Sequence, residues 1–328
     1  MSYRDFAYRQ VIVHIAGDYG EKLRFRLDNI VIEDKDGKTV LQHSCHRILA
    51  LLIIGHVSIT SAMIQTAVKF GFQIILLENC LRRITGINCM SEGNTELRKR
   101  QYMMTDDENL IVAKMIVNQK IHNQIALLDN LKYKSFLDKM AISSLSKIDV
   151  GKAMSYKELL GMEGTASKRF FSEYFRQMAW HGRQPRKKQD IVNLLLDIGY
   201  SYLFNFVGSV LSAYGFDLYY GVYHRPFYNR MSLACDIMEP FRCIVDRRIR
   251  KMHELNQIND DDFYQEDGRW QLRHDAQKKY IALFLKDILS EKKHVFEFCK
   301  KYYKWFMSNG ISSEPSYMIG GGDASDCI

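Results

Sequence analysis

Four residues in two separated segments carry side chains suited to one kind of chemistry. Glu163 lies in the run Gly161-Met162-Glu163-Gly164-Thr165-Ala166-Ser167-Lys168-Arg169-Phe170-Phe171. His224 comes later, followed by Asp236 and Glu239 in Ser232-Leu233-Ala234-Cys235-Asp236-Ile237-Met238-Glu239-Pro240-Phe241-Arg242. Carboxylates and a histidine flanked by arginines and lysines suit a divalent metal acting on a phosphodiester. The metal polarises the phosphate and the cations hold the backbone.

Each residue also has a plainer reading. Glu163, between two glycines that read as a turn opening a helix, is also an ordinary first-turn glutamate stabilised by the helix dipole. The segment 163–190 carries seven Lys/Arg (Lys168, Arg169, Arg176, Arg183, Arg186, Lys187, Lys188) against three acids. This can be a DNA-facing surface or a solvated face. His224 precedes Arg225-Pro226, and the proline biases Arg225 toward extended backbone. The histidine is thus expected near a strand or loop end, where local hydrogen bonds could equally satisfy it. Asp236 and Glu239, at i and i+3, share a helix face and repel unless a cation neutralises them. Arg242 or a metal ion fits that need. Pro240 predicts a kink or a helix start. Beyond it, Arg247 and Arg248 belong to a basic stretch that meets either DNA or water. Mixed carboxylate and imidazole ligands favour magnesium or manganese over calcium. The chain has no HExxH, no phosphate-binding GxxxxGK[ST] loop and no GxSxG elbow, which argues against zinc proteolysis, ATP hydrolysis and Ser-His-Asp chemistry.

The rest of the chain must position these groups. With 328 residues, 47% of them hydrophobic, it can bury a sizeable core in one large domain or two smaller ones. A net charge of +8 points to a polyanionic partner, nucleic acid first. Seven cysteines without a CxxC pair suit reduced thiols. The charged N-terminus shows no signal peptide, and the apolar run Ile48 to Ile54 is too short to span a bilayer. A cytoplasmic protein with no membrane partner is expected.

Alternation predicts strands at Val11–Ile15, Leu23–Leu27, Ile30–Ile32 and Thr39–Leu41, with an Asp-Gly hairpin at 34–37. It predicts further strands at Ile48–Ile54 and Gln73–Leu77, and a helix over Ser61–Phe70 capped by Gly71. Ser91 to Thr95 reads as a linker. Helical spacing then predicts one long helix over Leu97–Lys132 and others near 165–180, 190–214, 231–256, 270–291 and 294–308. The expected class is α+β. A small β-sheet, sandwich-like domain (1–90) precedes a larger all-α catalytic domain (91–328), with a flexible tail from about 312.

The run GMEGTASKRFF, then Tyr223-His224 ending an apolar segment, then SLACDIMEPFR, resembles the CRISPR-associated spacer-acquisition integrase, the Cas1 family. The β-then-helical layout resembles it too. The resemblance implies Glu163, His224 and Glu239 as metal ligands, with Asp236 as an auxiliary catalytic acid. It also implies Arg230 as a phosphate contact, and magnesium or manganese as cofactor. It implies a DNA endonuclease and integrase of CRISPR adaptation that joins 3′-hydroxyl ends of short spacer DNA to the CRISPR repeat by transesterification. Its implied partners are double-stranded DNA, a second copy of the chain in a homodimer, a small Cas2 dimer bridging two such dimers, and an end-trimming nuclease. A branched-DNA resolvase would use the same residues; a non-catalytic DNA-binding scaffold would need none of them.

Overall fold

The computed structural model describes residues 7–16, 21–78, 83–87, 94–225, 227–308 and 310–320. Most of the expected 91–95 linker, Pro226, Cys80, Cys89 and residues 321–328 of the tail lie outside the described residues.

The first part is built on two four-stranded sheets. One has the order β1 (Gln10–Ile15), β5 (Ile48–Ile54), β7 (Gln73–Leu77), β8 (Arg83–Ile87), with β1 and β7 parallel to β5 and β8 antiparallel to β7. The other runs β4 (Thr39–Ser44), β3 (Asn29–Glu33), β2 (Lys22–Arg26), β6 (Ser58–Ile59). The Asp34–Gly37 turn joins β3 to β4, with Gly37 at positive φ. Helix α1 (Ser61–Phe70) ends at Gly71 in the left-handed conformation, as its sequence predicts.

Every residue of β5 is buried, which explains its unbroken apolar run. Its two faces serve two cores. Ile48, Leu51 and Ile53 pack with Leu23, Ile30, Ile32 and Met63 between sheet and sheet. Leu49, Ala50, Leu52 and Ile54 join the core of the helical part. The β part is thus fused to the helical part by one sheet face. Gln73 reinforces the join by donating to the Ser209 carbonyl at 3.2 Å.

The helical part departs from expectation in several places. Leu97–Lys132 is two helices, α2 (Thr95–Met103) and α3 (Asp106–Asp129). The break is a capping box: Thr105 and Glu108 satisfy each other's backbone amides and start a new helix. Helix α4 (Phe136–Ser146), opened by a Ser135–Asp138 box, was not foreseen. Helix α5 (Tyr156–Tyr174) starts well before 165, capped by Ser155, so Gly161 and Gly164 are interior helical residues and not a turn. Helix α6 (Ile191–Tyr214) is long and apolar enough to cross a membrane, but 83% of that stretch is buried inside the protein, as in a core helix. At Gly199 an added Cβ would lie 2.5 Å from Val245 and 2.7 Å from Phe284, so only glycine allows this close helix packing.

Helices α7 (Ser232–Met238) and α8 (Arg242–Glu254) flank a 3-10 turn at Glu239–Phe241, where Pro240 imposes the expected kink. The segment near 270 begins with a hairpin of β9 (Phe263–Glu266) and β10 (Arg269–Leu272), so this part is not all-α. Helices α9 (His274–Ser290) and α10 (Lys292–Met307) follow. The chain beyond 312 is not a loose tail throughout. Tyr317 and Ile319 are buried, and Asn123 bonds both the Tyr317 carbonyl and the Ile319 amide.

Candidate metal and phosphodiester site

Three elements bring the sequence-predicted residues together. Helix α5 supplies Glu163 from its middle, not from its first turn. The kink after α7 supplies Glu239, which is 4% exposed. The loop between α6 and α7 supplies His224.

Between the two glutamates lies a residue the sequence reading missed, Lys120 of α3. Its ammonium, itself buried, bonds Glu163 Oε1 and lies 2.9 Å from Glu239 Oε2. Arg242 takes the other oxygen, Glu239 Oε1, at 2.9 Å, and stacks its guanidinium over Tyr200. Ser167 donates to Glu163 Oε1 at 2.9 Å. Burial alone would keep Glu239 protonated. Arg242, Lys120 and His224 outweigh that and hold its carboxyl at about 2. Burial likewise opposes the charge on Lys120, and Glu239 and Glu163 outweigh it, raising the ammonium's pKa. Glu239 and Lys120 therefore each favour the charged form. The signal for Lys120 was present in the sequence. It is a lone lysine on the buried stripe that carries the apolar Ala113, Ile116, Val117 and Leu127.

Asp236 and Glu239 follow one another on helical backbone, as their spacing predicts, but they meet different partners. Asp236 is fully buried, and both its oxygens are occupied by the His224 loop. Oδ2 accepts from the Val222 amide at 2.7 Å and the Tyr223 amide at 3.0 Å. Oδ1 accepts from the His224 amide at 2.9 Å and lies 2.6 Å from His224 Nδ1. Asp236 therefore stands behind the histidine, fixing the ring with Nδ1 as the donor and leaving Nε2 for a ligand. The loop reaches Asp236 this closely because of Gly221, where a Cβ would meet the His224 carbonyl at 2.6 Å and Asp236 Oδ2 at 2.8 Å. Tyr223, also unforeseen, has a buried hydroxyl without a hydrogen bond. Burial raises its pKa most, with the charges of Glu163, Glu239 and Asp236 adding to the shift.

Among the described residues no three His, Cys, Asp or Glu side chains converge closely enough to hold one ion. The donor set still fits a cation. Two carboxylates from different elements already turn to one ammonium.

A family model described as CRISPR associated protein Cas1 matches residues 15–286. The chain belongs to the Cas1 family. A relative from Archaeoglobus fulgidus named CRISPR-associated endonuclease Cas1 1 is 27% identical over 306 residues, covering 84% of this chain and 88% of its own. Among solved structures, a casposase bound to integration product superposes with a TM-score of 0.78 at 20% identity, covering 97% of each chain. A chain of a Cas6-RT-Cas1–Cas2 complex gives 0.78 at 22% identity, over 92% of this chain and 35% of that one. These structural likenesses establish the shared fold, which in this Cas1 chain is the two-part architecture described above.

The predicted DNA-facing cations of this Cas1 chain divide by burial. Arg248 is 3% exposed and paired with Asp287, with Nε 2.8 Å from Oδ2, so it belongs to the fold and not to a DNA surface. Arg242 belongs to the charged site. Arg183 is bound to Asp197 and Asn193, Arg247 to Glu291, and Arg176 to Glu173 and Ser135. Arg169 pairs loosely with Glu173, and Arg230 lies against the Cys235 thiol. Lys168, Arg186 and Lys187 are exposed, and Lys188 is half-buried. The β9–β10 hairpin pins this last stretch, with the Trp270 amide donating to the Lys188 carbonyl at 2.9 Å.

Proposed function

We propose that this chain is a metal-dependent DNA integrase and endonuclease of CRISPR adaptation. It joins the 3′-hydroxyl ends of short spacer DNA to the CRISPR repeat by transesterification. The observation that carries the reading is the convergence of Glu163 and Glu239 on one buried cation beside a histidine locked by Asp236. Glu163, Glu239 and His224 Nε2 would hold magnesium or manganese, which when bound supplies positive charge for the phosphate and an activated oxygen nucleophile.

The protein's own groups then position and stabilise. Asp236 sets the His224 tautomer. Arg242 keeps Glu239 ionised and remains as fixed positive charge where the phosphodiester gains negative charge. Gly161 and Gly164 flank Glu163 with no atoms within 4 Å of the position of an added Cβ, which leaves room for close approach of a nucleic-acid backbone. The exposed Lys168, Arg186 and Lys187 give the DNA an electrostatic hold, and the buried arginines do not.

Partners follow the same reading. The chain dimerises through its β part and meets a Cas2-like dimer bridging two such pairs, consistent with the Cas1–Cas2 complex that shares its fold. An end-trimming nuclease supplies the spacer ends, and the reaction is cytoplasmic. The test is strand transfer into supercoiled repeat DNA by wild type, Glu163→Gln and Glu163→Ala. Loss of joining in the variants with retained DNA binding supports the reading. Wild type that only hydrolyses the DNA would make it a branched-DNA nuclease, and full joining by the variants would refute the site.

A further inference from the structure

We propose that the Lys120 ammonium occupies the divalent-cation position between Glu163 and Glu239, so that lysine and metal compete for one place. The inference rests on Glu163, His224 and Glu239 being the ligands.

Geometry and charge support it together. Lys120 reaches in from α3, an element that carries none of the sequence-predicted site residues, and is buried against both carboxylates. A buried lysine persists only where its charge is matched, and here Glu163 and Glu239 match it while Arg242 covers the far oxygen of Glu239. The formal charges of Lys120, Arg242, Glu163 and Glu239 sum to zero. Arg242 is held by its position over Tyr200 and by Glu239. Lys120 instead ends a flexible four-carbon stem, so it is the cation able to withdraw. The ammonium lies 2.9 Å from Glu239 Oε2, whereas magnesium binds oxygen at roughly 2.1 Å. Loading the site with metal would exchange one cation for another.

The experiment compares full-length wild type, Lys120→Met, Lys120→Arg and the Lys120→Met/Glu163→Gln double variant. Manganese affinity is measured by calorimetry or electron paramagnetic resonance, and melting is followed in EDTA and in manganese. Lys120→Met should bind manganese at least about tenfold more tightly, which is about 1.4 kcal/mol. It should melt below wild type in EDTA and recover in manganese. The double variant, again balanced in charge, should regain stability in EDTA and lose the tight site. Lys120→Arg, which keeps the charge, should show no gain in affinity. If Lys120→Met folds only when manganese is present, competition is supported; if it folds in neither condition, the inference is overturned. Equal or weaker manganese binding by Lys120→Met, with binding in wild type abolished by His224→Ala, overturns the competition and leaves the metal site standing. Failure of wild type and every variant to bind manganese overturns both.

Discussion

Asp236→Asn is the sharpest probe of how the His224 loop is built. The carboxylate accepts four hydrogen bonds in a fully buried position: the Val222 and Tyr223 amides on one oxygen, and the His224 amide and ring Nδ1 on the other. An asparagine offers one oxygen and one NH2 group. With the NH2 toward Val222 and Tyr223 two amides face a donor; turned the other way, the His224 ring can shift its proton to Nε2 and accept at Nδ1, leaving the His224 amide facing a donor. Each buried donor left unpaired costs about 1–3 kcal/mol, so the isosteric change should cost about 1–3 kcal/mol in the cheaper orientation, which also puts the ring proton on Nε2. The remaining pair loses its charge assistance as well. That is a large share of the roughly 5–15 kcal/mol that holds a protein folded. The loop should therefore open before the whole fold does. Denaturant unfolding should show a lowered midpoint, and hydrogen exchange should show lost protection at the Val222, Tyr223 and His224 amides. Manganese affinity should fall about 10–100-fold, because the ring is no longer oriented. A variant within about 0.5 kcal/mol of wild type, with those three amides still protected, would refute the claim that Asp236 organises the loop.

Further outcomes follow from the same geometry. Gly221→Ala should also displace His224, because its Cβ would meet the His224 carbonyl at 2.6 Å; strand transfer should fall with that of His224→Ala, while the melting temperature falls less than for Asp236→Asn. Burial pushes the Asp246 carboxyl up to about 7, against the Tyr200 hydroxyl and Arg242. Between about pH 4 and pH 7 the unfolded chain has released a proton that the folded chain keeps, so stability should fall as pH rises through this window, by on the order of 4 kcal/mol. Asp246→Asn should flatten that slope in denaturant titrations at pH 5 and pH 8.5. Arg248→Ala should cost about 3–5 kcal/mol by stranding Asp287, and leave the salt dependence of DNA binding unchanged. Lys168→Ala and Lys187→Ala should do the reverse, each lowering the salt slope by roughly 0.9 with stability within about 0.5 kcal/mol.

The sequence made the fold legible wherever a local signal coincided with burial. The alternating strands, the Asp-Gly hairpin at 34–37 and the Gly71 cap all express short-range backbone chemistry, and the structure places them there. The same signals existed where they were missed. Asp267-Gly268 at positive φ turns β9 into β10 just as Asp-Gly does earlier. Thr105 with Glu108 is a capping box that divides a continuous apolar pattern into two helices, and Ser135 with Asp138 is one that opens a helix beyond it. Apolar periodicity masked the first because it continues across the break.

The site was legible as a set of residues and illegible as a circuit. Residue type and spacing identify Glu163, His224, Asp236 and Glu239, but spacing along the chain does not say which groups each acid meets. The backbone from Asp236 to Glu239 is helical, and still the two acids take different partners. Asp236 goes back to the loop amides, and Glu239 goes inward to Lys120 and Arg242. Nothing local distinguishes these fates, because they depend on which backbone donors and which cations arrive from elsewhere. Lys120 makes the point most strongly. On α3 it is one charge on a buried stripe, an apparent defect of the amphipathic pattern. Its cost is met only by carboxylates from α5 and from the kink after α7. A lone buried charge in a helix therefore implies unseen opposite charges, and in a chain rich in candidate metal ligands the place to look for them is the metal site itself.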